Sequence, residues 1–216
     1  FLVTGGEKLK DEIRLFWLEK FGVRIFEGYG TTETAPVLAV NTPLFNKIGT
    51  VGRILPGIDI KIEYIEGIET GGSLKVKGPN IMDGYLLHNK GFVPQAEWYD
   101  TGDIVDIDEE GFLAIKSRLK RFAKISGEMI SLDTVEKLAE ECFNNSNFAA
   151  INLPDKRKGE KIIIYTTFKG FDKQLFRSFI LNKGYTLLFM PSEVILLEEL
   201  PLLGNGKIDY VTLKEK

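Results

Sequence analysis

The hydrophobic pattern of the first thirty residues predicts a strand, a glycine turn, a helix and a second strand. Apolar side chains recur at helical spacing at Leu9, Ile13, Phe16 and Trp17. Because Gly22 follows this run, we expect an amphipathic helix over residues 7–20 that is stopped by a glycine. Residues 23–26 are β-prone, and the glycine- and threonine-rich segment after them is expected to leave the sheet as a loop.

From about residue 48 the hydrophobic period changes to two. Apolar residues alternate with charged ones over residues 58–64, which predicts a half-buried strand. Two further apolar runs flank the acidic segment 108–111 and indicate a hairpin. Several short strands joined by turns predict a small, distorted β-barrel in this part of the chain.

The last hundred residues have an α+β pattern. Ser131 is the expected N-cap of a helix that reaches Cys142, and Asp172 is expected to begin a second helix. Strands are expected near residues 147–153, 162–168 and 194–197. The sequence therefore predicts an α/β (α+β) fold with a domain boundary near residue 119.

The amino-acid composition argues against several classes of function. The 28 Lys and Arg residues are outnumbered by 31 Asp and Glu residues, and the net charge of −3 argues against a nucleic-acid-binding protein. A single histidine argues against a multi-histidine metal site. The one cysteine, Cys142, lies on an apolar helical face, so we expect a buried thiol and a reducing cytoplasm.

The first segment with candidate chemistry is Gly28-Tyr29-Gly30-Thr31-Thr32-Glu33. Backbone amides freed by glycine, together with hydroxyls, suit phosphate oxygens, and Glu33 is the type of oxygen ligand that suits Mg²⁺ on a nucleotide. The spacing is neither a G-x-G-x-x-G fingerprint nor a Walker loop. An ordinary tight turn explains the same residues equally well.

Three later segments also carry candidate chemistry. Asp103 follows a Thr-Gly turn, and its carboxylate either caps that turn or accepts hydrogen bonds from a ribose diol. Lys207 lies behind two glycines, either in a surface hairpin or on a mobile loop that carries its ammonium to a reacting phosphate. The basic stretch 118–127 is either a solvated linker or part of the same site.

Taken in order, these segments resemble the superfamily of adenylate-forming enzymes, which includes acyl-CoA synthetases, peptide-synthetase adenylation domains and luciferases. The matching motifs are Tyr29-Gly30-Thr31-Thr32-Glu33, Tyr99-Asp100-Thr101-Gly102-Asp103, Arg118 with Lys124 and Gly127, and Gly206-Lys207. The resemblance covers essentially the whole chain. It implies that residues 1–119 are the C-terminal part of a large AMP-binding domain, and that residues 120–216 are a small mobile domain.

The resemblance also implies a two-step ligase that uses ATP and Mg²⁺. A fatty carboxylate would form acyl-AMP and pyrophosphate, and a phosphopantetheine thiol would then take the acyl group. The residues implied for the first step are Tyr29 against adenine, Thr32 at the α-phosphate, Glu33 at Mg²⁺, Asp103 and Arg118 at ribose, Lys207 as the catalytic lysine, and Gly28, Gly30 and Thr31 in the nucleotide loop. Rotation about Lys120 would exchange Lys207 for the loop of Lys124 and Gly127, which borders the pantetheine tunnel.

Residues 117–129 and 200–207 more narrowly resemble the acyl-acyl carrier protein synthetase part of bifunctional 2-acylglycerophosphoethanolamine acyltransferases. Lys120 replaces the usual hinge aspartate and Leu203 replaces a frequent threonine, as in that branch. This resemblance implies a fatty acid and acyl carrier protein as partners, and a lysophospholipid as the partner of a missing acyltransferase part. It places the whole protein at the cytoplasmic face of the bacterial inner membrane.

We expect the chain to be a C-terminal piece of this enzyme, and by itself a feeble or inactive ligase. The superfamily's phosphate-holding loop, which ends in Pro-Lys-Gly, is absent from the sequence. Two alternatives remain. One is an acyl-CoA synthetase or another acid-adenylation domain with the same chemistry. The other is a noncatalytic remnant that binds a nucleotide, or binds an acidic carrier protein through Lys156-Arg157-Lys158.

Overall fold

The computed structural model describes residues 1–68, 70–204 and 206–215. Its contacts divide the chain into two compact units, Phe1–Leu119 and Lys120–Lys216. Both units combine sheets with helices, so the predicted mixed α/β class is confirmed. Within the described ranges, no helix has the length and apolar character needed to cross a membrane.

The first unit begins with a strand–helix–strand motif. Strands β1 (Leu2–Thr4) and β2 (Ile25–Tyr29) are parallel, and helix α1 (Asp11–Phe21) connects them. Strands β3 (Ala39–Val40) and β4 (Arg53–Ile54) follow in antiparallel register and complete a sheet of order β1-β2-β3-β4.

Helix α1 differs from its prediction at the N-terminus, and its apolar side chains are exposed. Gly22 caps it in the left-handed region with φ of 66°, as expected. It begins at Asp11 rather than at residue 7, because the backbone of Lys10 is extended, and the acidic side chains of its first turn are favoured there by the helix dipole. None of its residues is buried by the described chain, and Phe16 is 49% exposed. The apolar side chains that the periodicity singled out within α1 therefore remain exposed in this unit.

Strand β2 extends further than the sequence predicted. Gly28 and Tyr29 were expected in a loop, but they pair with Val40 and Ala39 of β3. This pairing, together with burial of the Tyr29 ring, keeps both residues in the strand. The loop therefore starts at Gly30, directly at the carboxyl end of β2.

The second half of this unit is antiparallel. Its strands are β5 (Asp59–Glu63), β6 (Gly72–Lys77), β7 (Gly84–Leu87), β8 (Gly91–Pro94), β9 (Tyr99–Ile107) and β10 (Leu113–Arg118). Four of them form a sheet of order β10-β9-β6-β5, and β7 pairs with β8 in a separate hairpin. The predicted hairpin over residues 108–111 joins β9 to β10, and its Gly111 has a φ of 83°.

The second unit is a sheet with helices. Its strands are β11 (Phe122–Ile125), β12 (Glu128–Ser131), β13 (Phe148–Asp155), β14 (Gly159–Thr166) and β15 (Glu193–Leu196). Its helices are α2 (Leu132–Phe143), α3 (Lys173–Asn182) and α4 (Tyr210–Lys214). The strand order is β12-β11-β14-β13, and β15 pairs in parallel with β14.

Both faces of the β13–β14 pair are buried, which explains why these strands are apolar at successive positions. Ala150 and Ile162 contribute to a core that α2 and α3 complete. Ile151 and Ile163 lie in a second cluster, which includes Leu213 of α4.

Side-chain caps begin both predicted helices of this unit. The Ser131 hydroxyl accepts a hydrogen bond from the amide of Thr134 at 3.2 Å, and Asp172 accepts one from the amide of Gln174 at 2.7 Å. The predicted N-cap at Ser131 and the predicted start of the second helix at Asp172 are therefore confirmed. Cys142 is a free thiol, and it is only partly buried against the α2–α3 core.

Candidate functional site

The loop after β2 is folded by Thr34, a buried residue at the end of the 3₁₀ turn Thr32–Thr34. The Thr34 hydroxyl accepts a hydrogen bond from the Thr31 amide at 3.0 Å. The side-chain amide of Asn80 donates to the Thr34 carbonyl oxygen at 2.6 Å. Because the Thr31 amide is already bonded inside the loop, it does not offer the free donor that the sequence suggested.

Gly30 has a structural reason to be glycine. A Cβ atom at this position would overlap the carbonyl oxygen of Pro36. The chain doubles back here, since the amide of Leu38 donates to the Tyr29 carbonyl oxygen at 2.7 Å. Any side chain at residue 30 would push the returning segment away from β2.

Glu33 presents a partly exposed carboxylate on this loop. The Tyr85 hydroxyl donates to its Oε1 atom at 3.1 Å, and the Met82 amide donates to its carbonyl oxygen at 2.9 Å. A hydrogen bond from its own backbone and then the Tyr85 hydroxyl hold the pKa of Glu33 below its ordinary 4.5, although partial burial opposes them. Glu33 is therefore ionised at neutral pH.

Tyr85 is suited to be a permanent donor to Glu33. Partial burial and the Glu33 carboxylate raise the pKa of Tyr85 to about 12. Its hydroxyl therefore keeps its proton at every physiological pH. Tyr85 lies on β7, so this hydrogen bond ties the separate β7–β8 hairpin to the loop.

Asp103 is a buried acid of the first unit, with 2% of its surface exposed. The Tyr29 hydroxyl donates to its Oδ2 atom at 2.6 Å. The Nε atom of Arg118 lies 3.1 Å from its Oδ1 atom, because Arg118 and Asp103 are register partners on β10 and β9. Burial raises the pKa of Asp103 above its ordinary 3.8, and the hydrogen bond from Tyr29 and the charge of Arg118 oppose that rise.

The Tyr29–Asp103–Arg118 triad joins three segments that are distant in sequence. Burial and the neighbouring Asp103 carboxylate raise the pKa of Tyr29, so its hydroxyl is a donor rather than a phenolate. The Arg118 side chain is 68% exposed, so the triad has a buried anionic centre and a solvent-facing cationic edge. Each oxygen of an ionised carboxylate can accept more than one hydrogen bond, so Asp103 keeps acceptor capacity for hydroxyl groups beside Tyr29 and Arg118.

Residues 1–86 of the chain match the sequence profile of a family described as AMP-binding enzyme. Over 99% of its length the chain is 34% identical to a long-chain-fatty-acid–CoA ligase of Haemophilus influenzae, and it covers 40% of that protein. The sequence match therefore places residues 1–86 in the AMP-binding enzyme family.

Solved structures have a similar fold. The o-succinylbenzoate CoA synthetase (MenE) of Bacillus subtilis, in complex with the acyl-adenylate intermediate OSB-AMP, has a TM-score of 0.77 and 26% identity. The match covers 99% of this chain and 46% of that one. ATP-bound MatB of Rhodopseudomonas palustris shares the fold, with a TM-score of 0.75, 24% identity, and coverage of 99% and 44%. The chain thus spans less than half the length of these relatives.

Lys207 lies in the second unit, on a tight turn. The Leu203 amide donates to the Lys207 carbonyl oxygen at 2.7 Å, and the Gly206 amide donates to the Leu203 carbonyl oxygen at 2.8 Å. Leu202 and Ile208 pair across the turn. The backbone at Lys207 is therefore fixed to its own unit. Asn205, within the same motif, lies outside the described residues.

The remaining predicted positions lie at the start of the second unit. Lys120 is an exposed residue in a short 3₁₀ turn at the boundary between the units. Lys124 is exposed on β11, and Gly127 follows Ser126 in the two-residue turn to β12, with φ values of 93° and 53°. Two left-handed residues are the hallmark of a type I′ hairpin turn, and they explain why a glycine is found here.

The structure therefore brings Tyr29, Asp103 and Arg118 together in the first unit, along with the Glu33 loop on the same β2 end. It also identifies residues that sequence reasoning missed, namely Thr34, Asn80 and Tyr85. Thr34 had a local signal, because a threonine three residues after Thr31 can bond back to it. Asn80 and Tyr85 contact residues that are more than forty positions away in the sequence, and hydrophobic periodicity does not indicate such contacts.

The loop fits the chemistry of Mg²⁺ bound to a nucleotide. Mg²⁺ usually takes one or two protein carboxylates and otherwise uses phosphate and water oxygens. The described part of the chain holds no cluster of three or more histidine, cysteine or acidic ligands, and Glu33 is a single ionised carboxylate on its loop. The donor set suits a metal that arrives with the nucleotide rather than a metal caged by protein.

Proposed function

We propose that this chain forms the C-terminal part of an ATP-dependent fatty-acid ligase that makes acyl-AMP and then an acyl thioester. The observation that carries the proposal is the Tyr29–Asp103–Arg118 triad, found in an AMP-binding chain that is 34% identical to a fatty-acid–CoA ligase. A buried, charge-balanced carboxylate suits the two hydroxyls of a ribose. The neighbouring Glu33 loop suits the phosphates.

In the first half-reaction, an oxygen of the fatty carboxylate would attack the α-phosphorus of ATP, and the bond to the β-phosphate would break to release pyrophosphate. Asp103 and Arg118 would fix the ribose, and the exposed Thr32 hydroxyl would donate to an α-phosphate oxygen. The ammonium of Lys207 would offset the negative charge that develops on the oxygens in the transition state.

Glu33 would hold Mg²⁺, which supplies positive charge to the phosphates. Tyr85 would keep the Glu33 carboxylate oriented toward that ion, as outer-shell donors do for metal ligands. Its hydroxyl binds the carboxylate without neutralising it, because the phenol stays protonated.

Tyr85→Phe is therefore expected to raise the Mg²⁺ concentration required for half-maximal activity by roughly tenfold, with a smaller change at saturating Mg²⁺. The measurement is a Mg²⁺ titration of fatty-acid-dependent ATP–pyrophosphate exchange. It uses the complete ligase, by which we mean this chain joined to the preceding residues that its relatives have. Calorimetric binding of ATP with and without Mg²⁺ gives a second readout. Tyr64→Phe, which alters a tyrosine that is 77% exposed, is the control. An unchanged Mg²⁺ requirement would refute the role of Tyr85.

For the second half-reaction we propose the thiol of acyl carrier protein as the acceptor. The thiol sulfur would attack the acyl carbonyl carbon, and AMP would leave with the electron pair of the broken bond. Lys120 and Leu203, which depart from the wider superfamily pattern, support the carrier protein over CoA. The acyl thioester would then serve lysophospholipid reacylation at the cytoplasmic face of the inner membrane. CoA is the alternative, since the relatives named above include a fatty-acid–CoA ligase.

The deciding experiment combines two panels on the complete ligase. Hydroxylamine trapping across fatty, aryl and amino acids identifies the acid, and we expect hydroxamate from long-chain fatty acids. Supplying acyl carrier protein or CoA as the thiol then identifies the acceptor, and we expect the carrier protein to be preferred. Aryl or amino acids as the preferred substrates would overturn the fatty-acid assignment, and a preference for CoA would overturn the acceptor.

The isolated chain gives a separate test. We expect it to support little or no fatty-acid-dependent exchange between ATP and pyrophosphate, and we expect turnover when the preceding residues are supplied in cis or in trans. Robust exchange by the chain alone would contradict the proposal that it needs a partner segment.

A further inference from the structure

A partly buried polar cluster in the second unit surrounds Arg121, the residue that follows Lys120. The Nε atom of Arg121 lies 2.8 Å from Asp133 Oδ1, and Nη2 lies 2.7 Å from Glu136 Oε1. Its Nη1 atom donates to the carbonyl oxygen of Ala150 at 2.7 Å. The side chain is only 13% exposed. Arg121 thus links the start of the unit to α2 and β13.

Tyr210 joins this cluster from the C-terminal end of the chain. The guanidinium carbon of Arg121 lies 3.9 Å from the centroid of the Tyr210 ring, within cation–π range. The Tyr210 hydroxyl donates to Glu136 Oε1 at 3.1 Å. A buried ion pair alone is weak evidence for stability. A stacked ring that also makes a directed hydrogen bond, however, fixes both the position and the rotation of a side chain.

Tyr210 is the first residue of α4 and lies three residues after Lys207. A helix of five residues is too short to be stable by itself, so its tertiary contacts decide where it lies. The segment before it is paired, since the Leu203 amide donates to the Lys207 carbonyl oxygen at 2.7 Å and the Asp209 amide donates to the Pro201 carbonyl oxygen at 2.8 Å. A displacement of Tyr210 would therefore displace the backbone of Lys207.

We propose that Arg121 and Tyr210 are positioning residues for Lys207, and that they hold its turn in one place on the second unit through their shared contacts with Glu136. This inference rests on the proposed function, in which Lys207 serves adenylation. Misplacing a reacting group by about 1 Å can cost on the order of 10² in rate. The cluster therefore governs the rate of the half-reaction that uses Lys207, rather than substrate binding.

Two Tyr210 variants of the complete ligase test this role. Tyr210→Phe removes only the hydroxyl, and Tyr210→Leu also removes the ring. We expect adenylation kcat to fall by about threefold and about tenfold, respectively, with KM for ATP changed by less than about twofold. Thioester formation from supplied acyl-AMP is expected to be unchanged. Lys183→Gln, which breaks an exposed 2.8 Å ion pair with Glu141 in the same unit, is the matched control.

A double-variant cycle separates positioning from general stability. In a Lys207→Ala background, Tyr210→Leu is expected to cause no further loss of adenylation, because the residue it positions is gone. A further tenfold loss in that background, or equal losses in both half-reactions, would overturn the inference. If Lys207→Ala itself leaves adenylation unchanged, the proposed function fails. If Lys207→Ala lowers adenylation and the Tyr210 variants do not, only this inference fails.

Hydrogen exchange gives a readout that is independent of activity. In Tyr210→Leu, the amides of Leu203, Gly206 and Asp209 are expected to exchange faster than in the unaltered protein, while amides within α2 are unchanged. Arg121→Lys keeps the charge but loses the forked geometry, so it is expected to show the same selective effect. Unchanged exchange at the turn would contradict the proposed role.

Discussion

Lys207→Ala in the complete ligase is expected to lower the rate of acyl-adenylate formation by a factor on the order of 10² or more, because removing one key charge stabiliser costs that much in comparable sites. The loss is expected in kcat, since an ammonium that meets the phosphate only during the reaction contributes little to the binding of ATP. Single-turnover formation of hydroxamate from fatty acid and ATP measures it directly.

The matched control is Lys169→Ala, which removes an exposed lysine from the same unit. Lys207→Arg tests geometry, because it keeps the charge on a bulkier, planar group. If Lys207→Ala and Lys169→Ala form acyl-adenylate at the rate of the unaltered ligase, Lys207 is not the first-step lysine. In that case a noncatalytic role for the chain would gain support.

Asp103→Ala is expected to raise KM for ATP by about 10- to 100-fold, which corresponds to losing a charge-assisted hydrogen bond of about 1.5–3 kcal/mol. It is also expected to lower the melting temperature, because the Tyr29 hydroxyl would be left buried without its 2.6 Å acceptor. Asp103→Asn keeps an acceptor for Tyr29, so it is expected to be more stable than Asp103→Ala. The assay is ATP–pyrophosphate exchange at varied ATP.

The pH dependence of nucleotide binding gives a second test of Asp103. Burial raises its pKa above the ordinary 3.8, so the unaltered protein is expected to lose ATP affinity as the pH falls through that raised value and the carboxylate becomes neutral. In Asp103→Asn, this decrease in ATP affinity at low pH is expected to be absent. Asp106→Ala is the control that is expected to leave both KM and the pH profile unchanged, because Asp106 lies on the same strand but is partly exposed, with its Oδ2 atom 3.6 Å from Lys116 Nζ. If Asp103→Asn loses ATP affinity at low pH in the same way as the unaltered protein, Asp103 is not the group whose protonation causes the loss.

The parts of the fold that follow local rules were predictable. Ser131 and Asp172 cap their helices because a short polar side chain before an apolar helical run can bond back to free amides. Gly22 ends α1 for the equally local reason that its φ is positive. The boundaries were less predictable, since β2 continues through Tyr29 only because β3 pairs with it.

The candidate site was predictable as a set of residues but not as a geometry. The order of the motifs identified Tyr29, Asp103 and Arg118 as candidate site residues. The hydrogen bond from the Tyr29 hydroxyl to Asp103, however, joins residues that are 74 positions apart, and it has no sequence signature. Tyr85 and Arg121 were missed for the same reason, because their roles consist of contacts with distant segments. Long-range polar contacts of this kind depend on the completed fold.

The uncovered apolar face of α1 has a practical consequence for work with the isolated chain. Phe16, Trp17 and Phe21 are exposed close together on a helix, and Phe1 lies uncovered in the same unit. Such a surface favours aggregation that increases with protein concentration. If an activity assay on the isolated chain gives no signal, light scattering should be measured as well, so that loss of protein by aggregation is not mistaken for a lack of activity.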